Sequence, residues 1–328
     1  MKKIILFLVF PFLLIDVYAS TPTKESRLFV HPFREVFVNL PSETLGLGVR
    51  LTIFLPEEKI PLMKQYPLAI WVGLPQDRLA AGEQIAQKYQ LVLAVVSWET
   101  WAGNQVQDPH AVETFLHREL MPYLETNYAV LPGGENRILI GQGEKGAQAV
   151  LPLLKHPDWL GKIALVSPGT FDLLPTVSVK NIRFFIRGNQ QELAHAQRIL
   201  ESAGISYGMG FAMRYDKAEV SALEAVDWTY LTAATSQLQL KRLDAAVQKS
   251  FLAVHQPDES GLRVWAKLHN GEWFDVVPTA LRFSPPYLNW DPVSGLIKVV
   301  PGAAPGAVKV NGVVDNKRFS LKMKLKSY

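Results

Sequence analysis

Apolar and polar residues alternate along Arg34–Asn39 and Gly48–Leu55, the period of strands with one covered face. Pro41 and Gly46 between them mark a turn, so an antiparallel hairpin is expected. Tyr66–Val72 and Leu91–Val96 are instead unbroken apolar runs, the mark of strands covered on both faces, and Ala80–Tyr89 between them has helical spacing. Asp108-Pro109 reads as an N-cap followed by a proline in the first helical position. From there Val112, Phe115, Leu116, Leu120, Tyr123 and Leu124 recur at helical intervals and predict a helix to about Thr126.

The alternation continues with strand Arg137–Ile140, helix Ala147–Lys155, strands Ile163–Ser167 and Ile182–Ile186, helix Leu193–Ala203, strand Tyr207–Ala212 and a closing helix Ser221–Leu238. Strands interleaved with helices predict an α/β class, with a mostly parallel sheet and helices on both faces. After about Gln248 the helices stop. Leu252–Val254, Leu262–Ala266, Trp273–Val277, Leu296–Val300, Ala307–Val310 and Phe319–Leu325 are short strand-like runs separated by Pro, Gly, Asn and Asp, which predicts a small all-β sandwich. The expected division is residues 1–19, 20–247 and 248–328.

The first segment is set by Met1-Lys2-Lys3, the apolar run Ile4–Ile15 and the small-residue site at Ala19, the layout of a secretory signal. Its apolar run falls short of the ~20 residues a spanning helix needs. Export is therefore expected, to the periplasm, the outer membrane or the exterior, with no integral span left after cleavage. The 328 residues contain no cysteine, which excludes disulfides, thiol nucleophiles and thiolate metal sites. Losing the leader lowers the formal charge from +4 to +3, too mild and too dispersed for a nucleic-acid face.

Candidate chemistry centres on Gly141-Gln142-Gly143-Glu144-Lys145-Gly146, which lies between a strand and a helix. That order is the setting of the nucleophile elbow G-x-S-x-G, with Gly143 at the serine's place. Taken with Tyr66–Trp71, Phe115–Tyr128 and His156–Pro168, it resembles the esterase family of α/β-hydrolases that includes esterase D and the feruloyl and mycolyl esterases. The resemblance implies an α/β-hydrolase fold over about Glu35–Leu238. It also implies a serine at Gly143, an acid at Gln191 and a histidine near Arg214, and none of the three residues is present. Val72-Gly73 stands where many members carry the His-Gly of the oxyanion loop. The segment from Leu281 to Val310 resembles bacterial Ig-like domains.

A hydroxyl without an adjacent base is a poor nucleophile, so three blank positions predict a pseudoenzyme that binds rather than hydrolyses. Expected partners are envelope proteins or a cell-wall or glycan polymer, with no cofactor and no metal. The candidate crevice comprises Gly73, Trp98, Trp101, Gly143, Glu144 and Lys145. Alternatives are a hydrolase with a relocated nucleophile at Ser97 or Ser167, and a structural subunit of an envelope or secretion assembly. His156 reads as a helix-end residue and His195 as part of a solvated face, while His110 and His117 lack a third metal ligand. Lys322, Lys324 and Lys326 alternate with apolar residues, which suits a protected edge strand, or alternatively contact with an anionic polymer or lipid.

Overall fold

The computed structural model describes residues 35–57, 64–74, 79, 81–97, 108–173, 179, 181–215, 225–254, 257–278, 280–292, 294–314 and 317–327. The leader therefore lies outside the described residues, as do Trp98, Trp101 and His255. Among the described residues no helix is long and apolar enough to cross a membrane.

The predicted hairpin is present as β1 (Glu35–Ser42) and β2 (Leu47–Phe54), paired antiparallel along their whole length. β2 lies antiparallel to β4 (Val92–Ser97), and β3 (Leu68–Leu74), β5 (Arg137–Gln142), β6 (Lys162–Val166), β7 (Arg183–Gly188) and β8 (Phe211–Tyr215) continue the sheet. Their order is β1-β2-β4-β3-β5-β6-β7-β8, parallel from β4 onward. Covered on both faces, β4 is buried at every position, as its unbroken apolar run requires. The crossovers carry α1 (Gly82–Tyr89), α2 (Pro109–Thr114), α3 (Met121–Asn127), α4 (Gly143–Val150) and α5 (Gln190–Ser202). Asp108 caps α2 by accepting from His110 N at 2.9 Å, and a π-helical stretch, Phe115–Leu120, joins α2 to α3. This is the α/β-hydrolase arrangement, followed by an all-β region.

The closing helix expected over Ser221–Leu238 does not form as one element. Within its described part, α6 covers only Trp228–Thr232, Ala233 and Ala234 are extended, and a 3₁₀ turn follows at Thr235–Leu238. The cause is Arg183. This buried guanidinium donates to the carbonyls of Tyr230 (3.0 Å), Leu231 (3.2 Å) and Ala233 (2.8 Å), and to Thr235 Oγ1 (3.0 Å). Carbonyls that a longer helix would have used internally are satisfied from β7 instead. The strand expected at Tyr207–Ala212 is also displaced: Tyr207 makes an isolated bridge and β8 begins at Phe211.

The all-β region begins earlier than the expected boundary at 247/248. β9 (Leu240–Val247) pairs antiparallel with β11 (Glu259–Leu268), so it belongs to this region. β10 (Phe251–Ala253), β12 (Trp273–Val276), β13 (Ala280–Ser284), β14 (Leu288–Asp291), β15 (Leu296–Val299), β16 (Gly306–Val314) and β17 (Lys317–Lys326) complete it. One sheet holds β9, β11, β12, β14 and β15, and the second has the order β10-β17-β16-β13. The Lys-rich β17 is an edge over only part of its length: β16 pairs with it from Lys317 to Leu325, and β10 covers Lys324–Lys326 on the other side. The two regions share a sheet. β12 bridges β8 at Asp275 and Met213, while Gln197 of α5 donates to Val277 O and accepts from Val277 N at 3.0 Å.

Replacing Arg183 by Leu leaves three carbonyls, two of them buried, without their donor. The expected loss, about 2–4 kcal/mol, is read as a lower urea midpoint at unchanged slope.

Candidate functional site

β5 delivers the chain to Gln142, and α4 starts at Gly143 with φ of +69°. That left-handed backbone is the strained corner a nucleophile elbow needs, and glycine adopts it at little cost. A Cβ built on Gly143 meets nothing within 4 Å, so the corner has room for a side chain. Its neighbours have none. A Cβ on Gly141 would lie 2.5 Å from Gly146 O, and one on Gly146 would lie 3.0 Å from Val72 O. Gly73, at φ +94°, approaches the same corner, since its Cβ would lie 2.9 Å from Gln142 O. Glycines at 73, 141 and 146 therefore let β3, β5 and α4 meet backbone to backbone.

Of the residues predicted to line the crevice, Gly73, Gly143, Glu144 and Lys145 are brought together here, while Trp98 and Trp101 lie outside the described residues. Glu144 is exposed and accepts from Gln148 Nε2 at 3.3 Å, and Lys145 is exposed beside it. Glu144 also faces the loop after β6: a Cβ on Gly169 would lie 3.6 Å from Glu144 Cβ. Gln142 Oε1, at the floor of the corner, is buried without a hydrogen-bond partner among the described residues.

At the acid's place Gln191 is exposed on the first turn of α5. The carboxylate one residue on, Glu192, is committed to structure. Its Oε1 accepts from Gly169 N at 2.9 Å and its Oε2 from Asn189 N at 2.7 Å, while Asn189 caps the helix in return. At the histidine's place Arg214 donates from Nε (3.0 Å) and Nη2 (2.5 Å) to Asp227 Oδ2, and Nη2 reaches Glu272 at 3.4 Å. Its guanidinium also lies 4.7 Å from the Phe274 ring centroid. Asp227 in turn caps α6 through Tyr230 N at 2.8 Å.

Residues 62–207 match the family model described as "Putative esterase". The match covers the central part of the first domain, which has an esterase-like α/β-hydrolase fold. Among solved structures, the chain is similar to a ferulic acid esterase at 16% identity, with a TM-score of 0.46, covering 61% of this chain and 95% of that one. It is also similar to S-formylglutathione hydrolase from Staphylococcus aureus (13%, TM-score 0.47, 61% and 98% covered). A third is the enterobactin esterase from Shigella flexneri (13%, TM-score 0.47, 64% and 61% covered). No curated protein matches.

Sequence reasoning missed an open cleft of about 520 Å³ where the first domain meets the all-β region. Arg187, Arg214 and Tyr215 line it from one side and Arg263, Trp265 and Trp273 from the other. Asp275 ties the two walls, accepting from Tyr215 N at 2.9 Å and from Arg263 Nη2 at 2.8 Å. Neither wall is marked in the sequence, because Arg263 and Trp265 read as ordinary alternation on one strand.

The relocated-nucleophile candidates are not placed beside a base. Ser97 Oγ is buried without a partner, Ser167 is exposed at φ +48°, and among the described residues no serine or threonine hydroxyl bonds to a histidine. His195, expected on a solvated face, is half-buried with Nε2 2.6 Å from Phe171 O. His156 sits at a helix end, as expected, with Nε2 3.0 Å from Glu113 Oε1, and it stacks on His117 at 4.4 Å. Among the described residues no group of His, Asp and Glu is arranged to hold a metal.

Burial raises the Glu113 carboxyl, but hydrogen bonds from Lys155, His156 and His110 outweigh it and hold the group below its ordinary 4.5. Burial, then the neighbouring His156, lowers His117 below 6.5. Both groups bind a proton more readily when unfolded, so their contribution to stability is complete above those ordinary values and is lost as pH falls. The urea midpoint is expected to drop as pH falls below about 6.5, through His117, and again below about 4.5, through Glu113, with only the second drop shallower in Glu113→Gln.

The glycines differ in the same way. Gly143→Ala is expected to cost about 1–2 kcal/mol for its left-handed backbone. Gly141→Ala adds a backbone clash and is expected to cost more, read as the larger fall in melting temperature.

Proposed function

We propose that this chain is a non-catalytic, esterase-derived binding or scaffolding protein of the bacterial envelope or exterior. The observation that carries the reading is Gly143: the elbow keeps its left-handed corner and the space for a side chain, yet holds no attacking atom. Two further features support it. Arg214 and Glu192, at or beside the places where a base and its orienting acid would stand, are committed to Asp227 and to backbone amides. Binding falls to the cleft between the domains, where arginines and tryptophans offer planar donors and stacking faces.

Hydrolysis of 4-nitrophenyl acetate by the purified protein is expected to stay at the buffer rate. Gly143→Ser is expected to leave it there, because a serine hydroxyl without a base gains little nucleophilicity. A rate above buffer that Ser97→Ala or Ser167→Ala abolishes would replace this reading with a relocated-nucleophile hydrolase.

Export is part of the proposal and rests on the leader Met1–Ala19. Intact mass of the protein recovered from its bacterium is expected to correspond to a chain starting at Ser20. Recovery of only the full-length chain from the cytoplasm would refute export.

A further inference from the structure

The outward face of the β10-β17-β16-β13 sheet is a field of positive charge. Strand alternation turns Phe319, Met323 and Leu325 of β17 and Val308, Val310 and Val314 of β16 into the core. The opposite face presents Arg318, Lys322, Lys324 and Lys326 from β17, Lys309 from β16 and Arg282 from β13, all exposed. Among the described residues no Asp or Glu lies on this face, and none of the six cations has an ion-pair partner. Elsewhere in this region several cations are paired, as in Lys298 with Glu259 and Lys249 with Asp258.

Edge protection does not account for all the charges, because they spread over three adjacent strands and Lys324 sits where β17 is paired on both sides. Nor does stability. Lys309 lies directly opposite Lys322, and like charges in cross-strand register repel. A face that keeps such a pair is matched to something outside the fold.

We propose that this face docks on the surface of an anionic lipid bilayer. The cations form a two-dimensional array, spaced roughly 6.6–6.8 Å along β17 and about 4.8 Å from strand to strand. A linear polyanion presents one row of charge, whereas a leaflet of acidic headgroups presents a plane that meets every row at once. The edge strand adds an apolar contact. Phe251 is 39% exposed on the same face, opposite Lys324, with Lys326 Nζ 4.3 Å from its ring centroid. An aromatic ring flanked by lysines suits the boundary between headgroups and acyl chains. The proposal stands on the all-β region alone and holds whether or not the first domain turns over.

The test uses residues 20–328, since the leader's apolar run would itself bind lipid. Sedimentation with phosphatidylcholine vesicles is compared with vesicles containing about one-third phosphatidylglycerol, in low and high salt. Binding is expected only to the anionic vesicles and is expected to weaken as salt rises. Lys322→Glu with Lys324→Glu is expected to lower partitioning on the order of tenfold or more, while Lys241→Glu, on the other sheet, leaves it unchanged. Unaltered far-UV circular dichroism and melting temperature establish that the double variant folds. Phe251→Ala is expected to weaken vesicle binding and not to alter retention on immobilised polygalacturonate. Equal binding to both vesicle types, indifference to the double reversal, or retention on polygalacturonate without vesicle binding would each overturn the proposal, the last in favour of an anionic polymer.

Discussion

The contact on which the first domain depends is between backbones. At Gly141 and Gly146 the end of β5 and the first turn of α4 are so close that a single Cβ on Gly141 would sit 2.5 Å from a carbonyl oxygen, and Gly73 brings the end of β3 to the same point. In a hydrolase such a corner is explained by the nucleophile it presents. Here the corner persists around Gly143, which presents nothing. The glycines are better explained by packing: they set how far α4 descends onto the central strands, and hence how the buried faces of β3, β5 and β6 are covered. That packing holds the core together whatever residue occupies position 143.

The other end of the would-be site has been converted more thoroughly. Arg214 grips Asp227, Asp227 caps α6, and Asp275 binds Tyr215 N at the end of β8 while Tyr207 Oη donates to the Asp275 backbone at 3.0 Å. Those that involve a carboxylate are charge-assisted, the kind that fix geometry strongly. The bonds to Asp275 join the last parallel strand to β12 of the all-β region, so that one sheet runs through both. At the end of β8, Arg214 is committed to Asp227 and Tyr215 to Asp275 across the two regions.

How much of this was legible in the sequence varies with the range of the interaction. The unbroken run of β4, the Asp108-Pro109 cap and the hairpin β1–β2 are local patterns and stand where alternation and capping place them. The elbow was legible because glycine spacing is local too. What escaped depends on distant partners. Arg183 ends a helix forty-odd residues away by taking its carbonyls. β9, with its charged and apolar residues mixed, becomes a strand because β11 pairs with it. The cleft arginines come from both regions, and no spacing rule links Arg187 to Arg263.

Building a Ser-His-Asp triad at these three positions would take more than three substitutions. A serine fits at Gly143, since the space is open, and an acid at Gln191 would stand on an exposed helical turn. A histidine at Arg214 is different, because it would strand Asp227, which is largely buried at 8% side-chain exposure and relies on that guanidinium for its charge balance. The third triad position is therefore the one the fold itself now opposes. Arg214 also reaches the all-β region through Glu272 at 3.4 Å, beside Tyr215 N held by Asp275, so a histidine there would remove one of the contacts between the two regions as well.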